Sequence, residues 1–297
     1  MAASLVRVEA SIPHDATTAG VLGRERMGSG VIIGPDVVLT IGYLVLEADD
    51  IQILTPRGRR IPASVAGYDH ATGFGLVRTV LPLQSAPLEL GDSDIIDERS
   101  KVFTIGQSEA GTTELVVVSR KPFSGSWEYL LERPIYTFPP VNNWSGSALL
   151  DTQGRLVGIG SLIVRDAATD RAGVPGNLFV PVNLLKPILT ELLDRGQRSG
   201  PAQPWLGIST ESVRGNLMVT RVAKGGPAEG AGIGPGDIVI GVGEVPVSDQ
   251  ADFYRRVWEL GPAGTAIPIR LLQQGTLRTV VVQSVDRADY LRKPAGV

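Results

Sequence analysis

The sequence predicts a mainly β protein in which a pair of β-barrels is followed by a smaller domain of different character. Short apolar runs bounded by Gly, Pro and Asp recur through the first two-thirds of the chain. Turn-forming residues are abundant, with 36 Gly and 21 Pro among 297 residues, while aromatic residues make up only 5%. Many short strands at even spacing, separated by turn signals, are typical of barrels rather than of long helices.

The apolar runs place the predicted barrel strands in order. They lie at 31–33, 37–40, 51–54, 61–65, 75–77, 101–105, 115–119, 135–138, 148–150, 156–163 and 178–182. One helix follows, because leucine and isoleucine recur at helical spacing between Leu184 and Leu193. Asn183 is its predicted N-cap and Gly196 its predicted stop. The segment 198–204, which contains Gly and two Pro, is a predicted linker.

The last third of the chain predicts a second, smaller domain. Glycine-rich turns separate its short apolar runs. Ser248 is a predicted cap for a helix that ends at Gly261, and one face of this helix is formed by Phe253, Val257 and Leu260. The runs 265–272 and 277–284 alternate as closing strands. The charged segment that begins at Asp286 is predicted to be a solvated tail.

Composition excludes several classes of function. A net charge of −3 gives no basic footprint, so nucleic acid is not an expected partner. The lack of cysteine excludes disulfides and thiolate sites, and two histidines are too few for a histidine-rich metal site, so no metal or other cofactor is expected. No apolar run approaches the ~20 residues of a membrane span. The N-terminus lacks the pattern of a secretory leader, which predicts a cytoplasmic protein starting at Met1; the alternative is a periplasmic protein whose leader was removed.

Several segments appear in the order found in one protease family. They are GSGVII at 28–33, VLTIGYLV at 38–45, DHATGFGLV at 69–77, VNNWSGSALL at 141–150, PWLGI at 204–208, GPAEGAG at 226–232 and GDIV at 236–239. With these motifs the chain resembles the HtrA/DegP serine proteases over about residues 25–286. The resemblance implies a chymotrypsin/trypsin-like double β-barrel at 1–197, a linker at 198–204, a PDZ domain at 205–286 and a tail at 287–297.

The resemblance locates only one of the three catalytic side chains of the family. Ser145 stands at the nucleophile, but the general-base histidine falls on Tyr43 and the orienting aspartate on Gly73. A serine hydroxyl is a weak nucleophile unless a neighbouring base removes its proton. A phenol titrates near about pH 10 and keeps its own proton at neutral pH. We therefore predict a pseudoprotease with a vestigial Ser145. The alternative is an active serine endopeptidase with a rewired site, in which His70 serves as a displaced base.

The oxyanion loop departs from the family in the same region. The family has glycine two residues before the nucleophile, where this chain has Asn143, and the bulky Trp144 follows. Asparagine tolerates positive φ better than other non-glycine residues, so two outcomes are open. Either Asn143 adopts the conformation of the glycine and the hole is kept, or the backbone N–H groups no longer converge on the developing charge.

The PDZ motifs imply a peptide-binding site. PDZ domains add an extended peptide C-terminus as a strand beside a helix. The resemblance places the carboxylate on the N–H groups of a loop formed by Trp205, Leu206, Gly207 and Ile208, with apolar packing from the helix around Phe253. The alternative is that this loop is only a strand entering the domain. We expect a protein that binds peptide C-termini or unfolded segments, as an adaptor, chaperone or accessory subunit. A fixed partner in a larger complex and a homo-oligomer are both open.

Overall fold

The computed structural model describes residues 2–106 and 111–292. Within them the chain divides into two compact units. The first unit contains the residues up to 121 together with 133–199, and the second contains 122–132 together with 200–292. Two closed six-stranded barrels form the first unit and one six-stranded sheet dominates the second, so the mainly β prediction is confirmed.

The first barrel is formed by the N-terminal part of the chain. Its strands are β1 (Leu5–Ser11), β2 (Glu25–Ile32), β3 (Val37–Ile41), β4 (Asp50–Leu54), β5 (Arg60–Tyr68) and β6 (Phe74–Thr79), with 3-10 turns at Ala2–Ser4 and Gly42–Leu44 and a short helix α1 (Ala19–Leu22). They close in the order β1-β2-β3-β6-β5-β4. Alternate side chains of β1, among them Val6 and Val8, are buried in the barrel, as expected for strands with one face inward.

The second barrel uses six of the next eight strands. The strands in chain order are β7 (Lys101–Ile105), β8 (Thr113–Ser119), β9 (Phe123–Gly125), β10 (Tyr129–Leu131), β11 (Ile135–Phe138), β12 (Ala148–Leu150), β13 (Leu156–Val164) and β14 (Gly176–Pro181). The barrel closes in the order β11-β14-β13-β12-β7-β8. Among the strands that the structure describes, β9 and β10 pair only with each other, as a hairpin that belongs to the second unit.

The helix after the second barrel is shorter than the leucine pattern predicts. A 3-10 turn (Val182–Leu184) comes first, and α2 (Leu189–Arg195) follows. Gly196 ends the helix in the left-handed conformation, which confirms the predicted stop. The prediction of Asn183 as N-cap is wrong, because its amide instead donates to Asp92 and accepts from the backbone N–H of Ser93.

The second unit is a twisted sheet with a helix packed on it. Its elements are β15 (Ile208–Val213), β16 (Asn216–Val222), α3 (Pro227–Gly230), β17 (Ile238–Val242), β18 (Val245–Pro246), α4 (Gln250–Glu259), β19 (Ala266–Gln273), β20 (Thr276–Gln283) and α5 (Arg287–Tyr290). The sheet order is β15-β16-β17-β19-β20, with β18 paired to β17, so β15 is an edge strand.

Three local predictions for this unit are wrong. Asp249, not Ser248, caps α4, because the Asp249 carboxylate accepts the backbone N–H of Asp252 at 2.8 Å. Leu260 is 47% exposed and lies outside the buried face that Phe253 and Val257 form. The residues after Asp286 are not only a solvated tail, because α5 forms there and the Tyr290 ring packs on Trp205 at 4.6 Å between ring centroids.

The unit boundaries differ from the predicted domains in one important respect. Residues 122–132 fall inside the predicted first domain, 1–197, but their contacts are with the second unit. The predicted tail residues 293–297 and Met1 lie outside the described residues. Among the helices of the described residues, none is long and apolar enough to cross a membrane.

Candidate functional site

The loop that carries Ser145 rests directly on strand β2. The backbone N–H of Ser29 donates to the Ser145 carbonyl at 2.8 Å, and the N–H of Gly146 donates to the Gly160 carbonyl at 2.8 Å. Gly146 has a φ of 73°, and a Cβ there would collide with the carbonyl oxygen of Ser29. Gly28 also lacks room for a Cβ, which would lie 2.8 Å from the Ser145 carbonyl oxygen. The close contact of two backbones explains why small residues recur on both segments.

Tyr43 reaches Ser145 from the 3-10 turn that follows β3. The buried guanidinium of Arg26 holds this turn by donating to the carbonyls of Tyr43 at 2.8 Å and Leu46 at 2.9 Å. The same Arg26 donates to Thr18 and to the Gly23 carbonyl. A charged side chain that is buried with several carbonyl acceptors fixes the backbone around it. The position of the Tyr43 ring is therefore set by the barrel rather than by a mobile loop.

The Tyr43 hydroxyl lies between two oxygen atoms. It is 2.7 Å from Ser145 Oγ and 3.0 Å from the carbonyl oxygen of Ser161. The carbonyl is available because Ser161 sits at a shift in the register of β13 with β14. A phenol has one proton, so it either donates to Ser145 or donates to Ser161 and accepts from Ser145. In neither arrangement does Ser145 face a base that could accept its proton.

Burial strengthens this conclusion. Desolvation raises the pKa of Tyr43 above its ordinary value, and hydrogen bonds with Ser145 and Trp144 oppose that rise without cancelling it. Tyr43 therefore remains a neutral phenol throughout the physiological pH range. It holds the serine hydroxyl in place and supplies no general base.

Gly73 stands where the orienting carboxylate is expected. Its φ is 78°, its N–H donates to the Asp69 carbonyl at 2.8 Å, and its carbonyl accepts the N–H of Gly42 at 2.7 Å. Asp69 itself is buried and engaged by Thr72 and Arg198. These bonds form a tight turn between β5 and β6 in which no carboxylate is directed at Tyr43.

His70 lies in the same turn, packed against an aromatic ring. Its imidazole meets the Tyr68 ring edge-on, with 4.4 Å between ring centroids and an interplanar angle of 72°. The Tyr68 ring in turn fills the space beside Gly42, where a Cβ would collide with it. The structure thus brings Tyr43, and not His70, to the Ser145 hydroxyl. A role for His70 as a displaced base stays a hypothesis.

Asn143 does not adopt the conformation of the glycine it replaces. It is not among the described non-glycine residues that have positive φ. Its carbonyl side packs closely on Gly106, whose Cβ, if present, would lie 3.0 Å from the Asn143 oxygen. The first of the two sequence-based outcomes, a left-handed Asn143, is therefore wrong.

The second candidate site is the loop from Trp205 to Ile208, at the entrance to β15. Gly207 has a φ of 79°, which turns three successive N–H groups toward one point. Those of Leu206, Gly207 and Ile208 all donate to the carboxylate of Glu128, at 2.9, 2.6 and 2.8 Å. Three backbone N–H groups of the loop thus bind a carboxylate of the same chain, and binding of a peptide carboxylate there stays a prediction.

Glu128 belongs to the β9–β10 hairpin and is buried. Burial raises its pKa to about 7, while the N–H groups of Leu206 and Ile208 and the charge of Arg287 oppose the rise. The hydroxyl of Tyr254 on α4 accepts the N–H of Glu128 at 3.2 Å and donates to the Gly125 carbonyl at 2.8 Å. Burial is the larger cause and the nearby charge of Glu128 the smaller cause that raise the pKa of Tyr254 above its ordinary value.

Sequence reasoning did not identify this hairpin. Phe253, the predicted peptide contact, is fully buried in the core of the unit, and Tyr254 beside it makes the polar contacts. One available signal was aromatic clustering, since Phe123, Trp127 and Tyr129 fall within seven residues of a chain that is only 5% aromatic.

Across 2–106 and 111–292, no group of three or more His, Cys, Asp and Glu could hold a metal ion.

Comparisons with known proteins agree with this two-part fold. Residues 28–159 match the trypsin-like peptidase domain, and residues 204–284 match the PDZ domain. The periplasmic serine endoprotease DegP of Salmonella typhimurium is 28% identical over 269 residues, covering 86% of this chain and 56% of that protein. The serine protease Do-like HtrA of Bacillus subtilis is 24% identical over 279 residues, covering 84% of this chain and 61% of that protein. The chain thus spans little more than half the length of these relatives.

Solved structures show the same fold over almost the whole chain. The HtrA-type protease AlgW with a tripeptide has a TM-score of 0.57 and 22% identity, covering 99% of this chain and 95% of that one. A serine endoprotease from Yersinia pestis has a TM-score of 0.56 and 23% identity, covering 96% and 94%. At these identities the likeness concerns the fold.

Proposed function

We propose that this chain, an HtrA-like protein with a trypsin-like peptidase domain followed by a PDZ domain, is a catalytically impaired protein that binds peptide C-termini or unfolded segments. The observation that carries the proposal is the neutral Tyr43 hydroxyl at 2.7 Å from Ser145 Oγ, in the place of a general base. Loss of a triad member lowers the rate by several orders of magnitude. The protein would then act as an adaptor, a chaperone or an accessory subunit of a complex.

The convergent N–H groups of Leu206, Gly207 and Ile208 support the binding part of the proposal. Such a set of N–H groups, with the edge strand β15 beside it, is the arrangement that captures a terminal carboxylate and adds a peptide strand. A cavity of about 650 Å³ beside this edge is lined by residues of β15, of α4 and of the β9–β10 hairpin. These features do not require a working nucleophile.

An active serine endopeptidase is the second candidate. It is favoured by the names of the relatives, which describe them as serine proteases, and by the half-buried Ser145, which keeps its hydroxyl. In such an enzyme His70 or a residue of another chain would have to serve as the base.

The reactivity of Ser145 and the binding of free-acid peptides test the two parts separately. We expect no labelling of the full chain by a fluorophosphonate, because Ser145 has no base. We expect decapeptides with an apolar C-terminal residue to bind as free acids and much more weakly as C-terminal amides. Labelling that is abolished in Ser145→Ala would establish the endopeptidase instead. Equal binding of acid and amide forms would contradict recognition of C-termini.

A further inference from the structure

We infer that the β9–β10 hairpin is a built-in ligand of the PDZ groove, which an external peptide C-terminus has to displace. The inference rests on the proposed function, because it concerns the same carboxylate-binding loop. The hairpin reproduces both parts of a C-terminal ligand, namely a carboxylate and an apolar side chain. It thereby makes the binding of peptides conditional on release of the chain's own segment.

The carboxylate part is Glu128. Its two oxygen atoms accept three backbone N–H groups of the loop, and the side chain is buried. Three N–H groups that converge on one carboxylate leave no donor of the loop for a second carboxylate. An external C-terminus and Glu128 therefore cannot occupy the loop together.

The apolar part is Leu130. This residue is only 9% exposed and lies in the core cluster of the second unit, with Leu206, Ile208 and Phe253 among its members. Those residues come from the carboxylate-binding loop and from α4, the two walls of a PDZ groove. Because Glu128 and Leu130 are two residues apart on β10 and its turn, one segment places both groups in the groove.

The hairpin is held on α4 by polar contacts as well. Tyr254 bonds to Gly125 and to Glu128, and the exposed Arg255 forms a bidentate pair with Glu132 at 2.8 and 2.7 Å. From α5, Arg287 donates to the carbonyl of Trp127 at 3.1 Å. These contacts orient the hairpin at several points, so the Glu128 contact is part of a continuous docking surface.

The conformation of Glu128 supports a role for this side chain. Its φ is 58°, in the left-handed region at the end of a three-residue turn, where glycine is favoured. A non-glycine residue in that conformation costs free energy that the surrounding structure must offset. The contact of its carboxylate with the loop supplies such an offset.

The edge of β15 is the part of the groove that an incoming peptide can contact first. Among the described strands, β15 pairs only with β16, and on its other edge the side chain of Gln250 donates to the carbonyl of Thr210. A peptide strand can displace this single side-chain hydrogen bond more easily than it could displace a paired strand. Ser124 and Ser126 of the hairpin line the groove together with Thr210 and Ser212 of β15. An incoming peptide can therefore contact β15 before Glu128 leaves the loop.

The test compares the full chain with its Glu128→Ala and Glu128→Gln variants. The probe is a set of fluorescent decapeptides with Leu, Val, Ile or Phe at a free C-terminus, and the same set as amides. A docked hairpin that outweighs the released form by about ten to one weakens apparent affinity about tenfold, so Glu128→Ala is expected to bind the acids about tenfold more tightly. Glu128→Gln keeps a neutral side chain with an acceptor oxygen and should bind them less tightly than Glu128→Ala. Glu244→Ala, which removes an exposed carboxylate from a turn of the same unit, is the matched control and should leave affinity unchanged.

Two further measurements keep the outcomes distinct. Tyr254→Phe removes the hydroxyl contacts to the hairpin and should tighten peptide binding to a smaller extent, and it serves where Glu128→Ala does not fold. Backbone amide shifts of Leu206, Gly207 and Ile208 report Glu128 directly. Equal affinity of wild type and both Glu128 variants would overturn the inference while peptide binding stands. If neither wild type nor any variant binds the acids, both the inference and the proposed function are overturned.

Discussion

Ser145 keeps its hydroxyl, but the groups around it differ from those of a Ser-His-Asp triad. Its hydroxyl meets the Tyr43 phenol at 2.7 Å, and burial keeps that phenol protonated by raising its pKa. The position of the orienting acid is a tight turn at Gly73, with a φ of 78°. The residue at the base position, the residue at the orienting position and the turn around it therefore all differ from a Ser-His-Asp triad.

Restoring two residues of the triad should therefore not restore proteolysis. We expect Tyr43→His with Gly73→Asp to hydrolyse casein no faster than the same protein with Ser145→Ala added. An aspartate at position 73 must adopt the left-handed conformation, and Asn143 does not have the positive φ that glycine allows. Loss of one oxyanion donor alone costs about 10²–10³ in rate. Serine-dependent turnover of casein by the double variant would show that the oxyanion loop is still functional.

Glu128 makes the docking of the hairpin sensitive to pH. Its pKa is about 7 when docked, against an ordinary value near 4.5, so the docked state binds more protons between these values. Raising the pH through this window therefore weakens docking, and no further change is due to Glu128 above it. The charged or titratable groups that face it among the described residues are Arg287 and Tyr254. Burial raises the pKa of Tyr254 above its ordinary value, so this phenol stays neutral over the range.

We therefore expect wild-type protein to bind the free-acid peptides about tenfold more tightly at about pH 8 than at about pH 5. Glu128→Gln cannot ionise at this position and should bind equally at both values. The measurement is the fluorescence anisotropy of the labelled peptides at constant ionic strength. Weaker peptide binding by the wild type at the higher pH would contradict the expected direction. So would binding by Glu128→Gln that tightens with pH as much as binding by the wild type does.

At the scale of elements, the hairpin contributes to the core of the unit that it docks on. Leu130 is 9% exposed in that core, whereas Leu277 on β20 is 71% exposed. Removing a buried leucine side chain typically costs about 2–5 kcal/mol, and removal of an exposed one costs little. Leu130→Ala should therefore lower the free energy of unfolding of the second unit by about 2 kcal/mol, and Leu277→Ala should change it by less than about 0.5 kcal/mol.

Urea unfolding followed by tryptophan fluorescence checks this difference. Trp127, Trp205 and Trp258 are in the second unit and Trp144 is in the first, so the comparison is made in a Trp144→Phe background, where the remaining signal reports the second unit. Equal effects of the two substitutions would mean that Leu130 does not stabilise the unit. That result would contradict the role of Leu130 as the apolar contact of the docked hairpin. Tighter binding of free-acid peptides by Leu130→Ala is expected at the same time, because a weaker hairpin is easier to displace.

At the scale of the whole molecule, the two units are not two consecutive stretches of chain. Residues 122–132 lie between strands of the second barrel in sequence but belong to the second unit, and the chain re-enters the first unit at Arg133. The two ends of this segment lie close together, since the guanidinium of Arg120 donates to the carbonyl of Arg133 at 2.8 Å. The second unit is therefore completed by a segment that precedes it by about 70 residues, which a linear division into domains does not reveal.

The sequence by itself determined the barrel pair, the PDZ unit and the positions of Ser145, Tyr43 and Gly73. Strand periodicity, turn residues and ordered motifs are local features, and they predict local structure well. Only the tertiary structure decided that Tyr43 bridges Ser145 and Ser161, and that Glu128 fills the loop at Leu206, Gly207 and Ile208. These contacts join residues 78 to 118 positions apart, and no local pattern encodes which distant donor a buried carboxylate or hydroxyl will meet.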